Sequence, residues 1–272
     1  MRDTREQDAR AEALRMLEEC CVTRPDQIDL DAMAERLGAE IVYDDLEGAT
    51  ASVMRIGSVA RIRVSNRVHD LGSQRFILGH EIGHLWLGHE LPYGNAKEVI
   101  ERICKPLEKS RKAPERTASV FSSELVMPEP FVKPYCAVPY VTLAPARAIA
   151  EEFITSVLAS AMRFTEISTE RCAVAYSVLG RVQWLKRSAT FPDFIPHGRR
   201  LDPTSAAFDY HQRGKLDGAA RMLSGDAWLP RTRIDSANVQ IVEQSAVIAE
   251  LGAVFTMLWI PRHEVSHLDL AA

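Results

Sequence analysis

The sequence lacks any run approaching the ~20 consecutive apolar residues that a membrane helix needs, so it predicts no membrane-spanning segment. Its N-terminus, MRDTREQDAR, has no apolar core of the kind a secretory signal carries, and the expected compartment is the cytoplasm. Paired cysteines are missing too: Cys20, Cys21, Cys104, Cys136 and Cys172 are odd in number and form no CxxC. That pattern argues against a disulfide framework and fits thiols in a reducing compartment. The adjacent Cys20 and Cys21 read as small buried residues at the end of a helix. There is no excess of positive charge, the formal net charge being −4, which speaks against a nucleic-acid binder because the phosphate backbone rewards a basic face. There is no internal repeat. What remains is ordinary: 272 residues, 46% hydrophobic and 26% charged, enough for one large domain or two smaller ones with their own cores.

Periodicity orders the chain. Residues 5–21 place Ala9, Ala13, Met16, Leu17 and Cys20 at helical spacing. A second short helix follows Pro25, capped by Asp29, with Leu30, Met33, Ala34 and Leu37 inward and Gly38 as its stop. Residues 39–43 read as a strand. Residues 49–65 read as a hairpin about Gly57-Ser58, with Val59, Arg61 and Arg63 on one face and Ile62 and Val64 on the other. A helix is expected over 74–88. The charged stretch 105–114 reads as a mobile loop, and Pro114 suits the first turn of a helix that runs to Met127 and stops before Pro128 and Pro130. A proline-spaced linker, 128–145, leads to a helix pair over about 145–167, broken near Thr155-Ser156. Strands are expected at 172–178, 181–187 (after a turn at Gly180), 238–248 and 253–260, and 188–230 reads as irregular.

One constellation carries chemistry. His80-Glu81-Ile82-Gly83-His84 is an HExxH pattern. Residues four apart share a helix face, so both imidazoles can meet one metal ion while Glu81 sits beside them as a general base. Gly79 and Gly83 each cost about 1 kcal/mol of helix stability relative to Ala. Their use is then to admit another backbone or a substrate. Two histidines leave a catalytic zinc site one ligand short. A third His after a glycine turn is excluded by register: Leu87 stands where the glycine belongs and Glu90 where the His belongs. A carboxylate from a downstream helix fits better. Glu115 lies 31 residues past His84, in the first turn after Pro114, and shares a face with Ser119, Ser122 and Val126, whereas Glu124 falls on another face. Glu115 is the expected third ligand, with His89 and Glu90 as substitutes. Zinc suits two imidazoles and a carboxylate, though manganese or iron could occupy a similar site. His69, His197, His211, His263 and His267 are scattered and read as surface residues. His89 and Tyr93 are candidates to stabilise an oxyanion.

Two blocks, RFILGHEIGH at 75–84 and ERTASVFSSELVMP at 115–128, resemble the ImmA/IrrE metallopeptidases. The second is similar to the family's E-x-x-A-N-x-F-A-x-E-L-L-M-P run, with Glu115 at the metal-ligand position and Ser119 where the family often has Asn. Together with the strand pattern after 168, the resemblance implies an α+β fold: a zincin-like metallopeptidase domain at 1–135, a linker and helix-turn-helix-like segment at 136–167, and a smaller β-rich C-terminal domain at 168–272, a candidate regulatory or substrate-recognising part. It also implies a zinc endopeptidase that cuts a helix-turn-helix transcriptional repressor to release stress-response or mobile-element genes. The alternative is a DNA-binding regulator or a ligand sensor on the same scaffold without protease activity. Against DNA binding, the second helix of the 148–164 pair is poor in the residues that read base edges, Arg163 being its only long basic one. Trp184, Trp228 and Trp259 could line a sensor pocket, but at strand spacing they read as core.

Overall fold

A computed structural model describes residues 4–46, 50–56, 59–90, 113–230 and 238–261. The Gly57-Ser58 turn, the charged stretch as far as residue 112, Tyr93, Cys104, His263 and His267 lie outside the described residues. The fold is mixed α and β and divides into two compact units, Met1–Val132 with Ala150–Ser156, and Lys133–Ile149 with Val157–Ala272. Among the described residues no helix is long and apolar enough to cross a membrane.

The first unit opens with α1 (Thr4–Glu19), which buries Ala9, Ala13, Met16 and Leu17, the expected stripe. Its end differs from expectation. Cys20 is half-buried and Cys21 exposed, because Cys21 takes φ +56 and lets Val22 N–H reach the Leu17 carbonyl at 2.9 Å. It occupies the left-handed position that glycine usually fills after a helix. Helix α2 (Leu30–Arg36) is capped by Asp29, whose carboxylate accepts from Ala32 N–H at 3.0 Å. Strands β1 (Ala39–Asp44), β2 (Ala51–Ile56) and β3 (Val59–Ser65) form one sheet in the order β1-β3-β2. The expected hairpin is the antiparallel β2–β3 pair, and β1 joins β3 in parallel. Alternation decides the faces: Ala60, Ile62 and Val64 are fully buried, while Arg61 on the other face pairs with Glu40 at 2.7 Å.

A helix packs against β2 and β3, and a second helix packs on the first. Helix α3 (Leu71–Trp86) begins three residues earlier than its periodicity predicts, because Asp70 caps it by accepting from Ser73 N–H at 2.6 Å. Helix α4 (Ala113–Val126) packs on both α1 and α3. Against α1, Glu124 is buried and receives Arg10 at 3.0 Å, while its other oxygen accepts from Glu129 N–H at 2.7 Å at the start of α5 (Glu129–Val132). That places Glu124 on a structural face, as its register implies.

Helices α6 (Ala144–Phe153) and α7 (Val157–Ile167) are the expected pair, and the break falls at Ile154, at φ +53. Arg163 on α7 is 2% exposed and faces Glu166 at 3.6 Å. The second unit is built on one antiparallel sheet of β4 (Cys172–Val178), β5 (Arg181–Arg187), β6 (Arg221–Ser224), β7 (Gln240–Ile248) and β8 (Ala253–Trp259), in the order β5-β4-β8-β7-β6. The four longer strands are those expected. The stretch 188–230 is not wholly irregular: it holds β6 and α8 (Ala206–Arg213), which Ser205 caps and Gly214 ends at φ +68. Trp184, Trp228 and Trp259 are buried, as core residues. The fully buried Glu243 of β7 gathers this unit, accepting at 2.7 Å from Ala206 N–H, Arg221 Nε and Trp228 Nε1.

Candidate metal centre

The HEIGH helix is buried along its second half, with His80 and His84 each 3% exposed and Glu81 6%. It tolerates two glycines because α4 lies too close for side chains. A methyl on Gly79 would stand 2.7 Å from the Ser122 hydroxyl, and one on Gly83 would stand 3.0 Å from the Phe121 ring. What these glycines admit is thus the side-chain face of α4. Ser122 ties the pair by donating to the Phe76 carbonyl at 2.6 Å.

This close approach brings the first turn of α4 over the imidazoles. Nε2 of His80 and Nε2 of His84 are 3.0 Å apart. Glu115 places one carboxylate oxygen 3.5 Å from the first and the other 3.6 Å from the second. Ligand atoms held at about 2.0–2.1 Å in a tetrahedral zinc shell are separated by about 3.3–3.4 Å. These separations bracket that spacing, and two imidazoles with one carboxylate can together hold a divalent metal ion. These three residues form a group whose ligand atoms lie within 4.8 Å of one another and could hold a metal ion. Glu90 is exposed and outside the group. Glu81 lies on the same buried stretch of α3, one residue from His80.

The outer ring nitrogens of both histidines are occupied. His80 Nδ1 meets Ser119 Oγ at 3.2 Å, and that hydroxyl is 2.9 Å from the Glu115 backbone carbonyl. Ser119 therefore supplies a hydroxyl at the position where the resembling family often has Asn. His84 Nδ1 meets His89 Nδ1 at 3.2 Å, and His89 Nε2 meets Thr117 Oγ1 at 3.2 Å. Burial pushes the His89 pKa down, the Glu115 carboxylate opposes this, and His80 adds to the lowering. His89 is thus neither loose nor a third ligand: its ring sits behind His84. The sequence reading weighed His89 only as a ligand or an oxyanion donor and missed Thr117. The available signal was position, since Thr117 and Ser119 follow Glu115 within about one helical turn.

Residues 34–165 match the Peptidase M78 family model, described as the IrrE N-terminal-like domain. No curated protein sequence matches the chain. Among solved structures, the chain is similar to a Mycobacterium tuberculosis transcriptional regulator at 13% identity and a TM-score of 0.59, over 96% of this chain and 78% of that one. At that identity the likeness is one of fold. Both motif blocks lie inside the matched span, so residues 34–165 are similar to the IrrE N-terminal-like domain of the Peptidase M78 family.

Proposed function

We propose that the chain is a zinc-dependent endopeptidase in which His80, His84 and Glu115 hold the metal, Glu81 is the general base, and the substrate is a helix-turn-helix transcriptional repressor. The observation that carries the reading is the grouping of two imidazoles and one carboxylate from two helices, with Nε2 atoms 3.0 Å apart and Glu115 oxygens 3.5 Å from one and 3.6 Å from the other. When bound, zinc supplies Lewis acidity, polarising the scissile carbonyl and acidifying water at the site. The remaining chemistry belongs to the chain. Glu81 takes a proton from the attacking water as the new C–O bond forms, then passes it to the amine nitrogen as the C–N bond breaks. The products are a carboxylate and an amine. Burial of Glu81 and both histidines excludes bulk water from that transfer.

Strand β2 is an edge of its sheet and packs near α3. It supports a substrate segment that lies extended along the edge and adds a strand. The β-rich second unit is then the part that recognises substrate or regulates, within a division of the chain near 135 and 168. Direct DNA reading is disfavoured by the burial of Arg163, and the family's name for the first unit points to proteolysis over a non-catalytic sensor. Cleavage of such a repressor would release stress-response or mobile-element genes.

The test is to incubate the zinc-loaded chain, and separately its Glu81→Gln variant, with the repressor encoded beside it, and to read fragments by mass spectrometry. One discrete cut by the parent, slowed by about 10²–10⁴-fold in the variant, is the expected result. A repressor left whole by the parent overturns the substrate assignment, and equal cleavage by both proteins overturns the role of Glu81.

A further inference from the structure

Resting on the metal-site reading above, we propose that His89 is a positioning residue that fixes the ring of the ligand His84 and ties it to the helix turn that carries Glu115. The contacts form a single directional chain. A His84 that offers Nε2 to a metal keeps its proton on Nδ1, and that N–H must donate outward. The atom it meets is Nδ1 of His89, at 3.2 Å. Accepting there obliges His89 to carry its own proton on Nε2, which lies 3.2 Å from Thr117 Oγ1. The Thr117 hydroxyl accepts that proton and donates its own to the backbone carbonyl of Ala113 or Pro114, each at 3.0 Å. Each of these donors finds an acceptor, and the chain ends on the first turn of α4, two residues from Glu115.

The backbone is shaped to present this ring. Gly88 takes φ +64, so His89 N–H bonds back to the His84 carbonyl at 3.0 Å and Gly88 N–H reaches the Leu85 carbonyl at 3.3 Å. This pair of bonds is the helix-ending motif that reverses the chain through a left-handed residue. The reversal folds His89 over the last turn of α3, its ring 5.0 Å from that of His84 at 76°. A methyl on Gly88 would meet nothing within 4 Å, so the demand at this position is conformational and not steric. The glycine and histidine that miss the third-ligand register by one residue have a purpose of their own: they put an acceptor behind the second ligand.

The experiment measures zinc affinity of the full chain by competition with a chromophoric chelator, together with the Co²⁺ ligand-field spectrum, for the parent and for His89→Ala, His89→Gln, Thr117→Val and Gly88→Ala. Far-UV circular dichroism establishes that each is folded. The inference expects His89→Ala to weaken zinc binding by about 10–100-fold and to alter the Co²⁺ band. His89→Gln, which can still accept and donate, should recover most of the affinity, and Thr117→Val and Gly88→Ala should show smaller losses of the same kind. Parent-like affinity and an unchanged Co²⁺ band in folded His89→Ala overturn the inference while leaving the ligand assignment intact. Should His89→Ala fail to fold, equal affinities in parent, Thr117→Val and Gly88→Ala overturn it. A parent that binds zinc no better than Glu115→Ala overturns the metal reading, and the inference with it.

Discussion

Replacing Gly79 with alanine should destabilise the first unit, although the same change on an isolated helix stabilises it by about 1 kcal/mol. The added methyl would stand 2.7 Å from Ser122 Oγ and 3.4 Å from Val126. Ser122 is fully buried and cannot rotate away without leaving the Phe76 carbonyl that it bonds at 2.6 Å. Overpacking of this kind costs about 1–3 kcal/mol, and the strained or lost hydrogen bond costs about 1 more. The clash outweighs the propensity gain, leaving a net loss of about 1–3 kcal/mol. Native-state hydrogen exchange of the α3 amides reads this unit directly. Ser122→Ala removes the clashing oxygen, after which the nearest serine atom is Cβ at 3.5 Å, an ordinary contact. The double variant should therefore be more stable than Gly79→Ala alone, with a coupling of about 1 kcal/mol or more between the sites. A Gly79→Ala protein that gains the full propensity term and shows no coupling to Ser122 would refute the close approach of α3 and α4, and with it the placement of Glu115 over the two imidazoles.

Two further outcomes are expected. The Cys172 thiol is pushed up to about 12 by burial, against hydrogen bonds from Ser168, Thr165 and Ser188, so at pH 8 only about one molecule in ten thousand carries the reactive thiolate. Iodoacetamide should label exposed Cys21 in the native chain and spare Cys172 until urea is added, and native labelling of both at one rate, read by mass spectrometry, would contradict this. Burial also lowers the pKa of His211 below its ordinary 6.5, opposed by its bond to Ser177. The unfolded chain then binds the proton more readily, so this group's contribution to stability is complete above pH 6.5 and is lost as pH falls through the lower folded value. Urea midpoints of the parent should fall faster below pH 6.5 than those of His211→Gln, and parallel slopes would show that the ring is not desolvated.

The two sequence blocks made the candidate centre legible because each of its three residues is announced by local chemistry. His80 and His84 are fixed by helical spacing, and Glu115 by a proline that starts its helix. The buried stripes of α1, α2 and β3 were legible for the same reason, each being long enough to show its period. Strand β6 was not, since four residues hold no recognisable alternation. Helix α8 carried its signals, Ser205 at one end and Gly214 at the other, but its apolar face is short and the surrounding segment is rich in turn residues. The role of His89 could not be read from spacing alone, because it depends on a left-handed residue at Gly88 and on which nitrogen of His84 turns outward.

Glu243 has a consequence in time. One buried carboxylate holds the start of α8, the side chain of Arg221 and the indole of Trp228, yet it follows all three in the chain. During synthesis at about 5–20 residues per second, residues 206 to 228 are made before the carboxylate they share. Their three bonds to it can form only once β7 has been added.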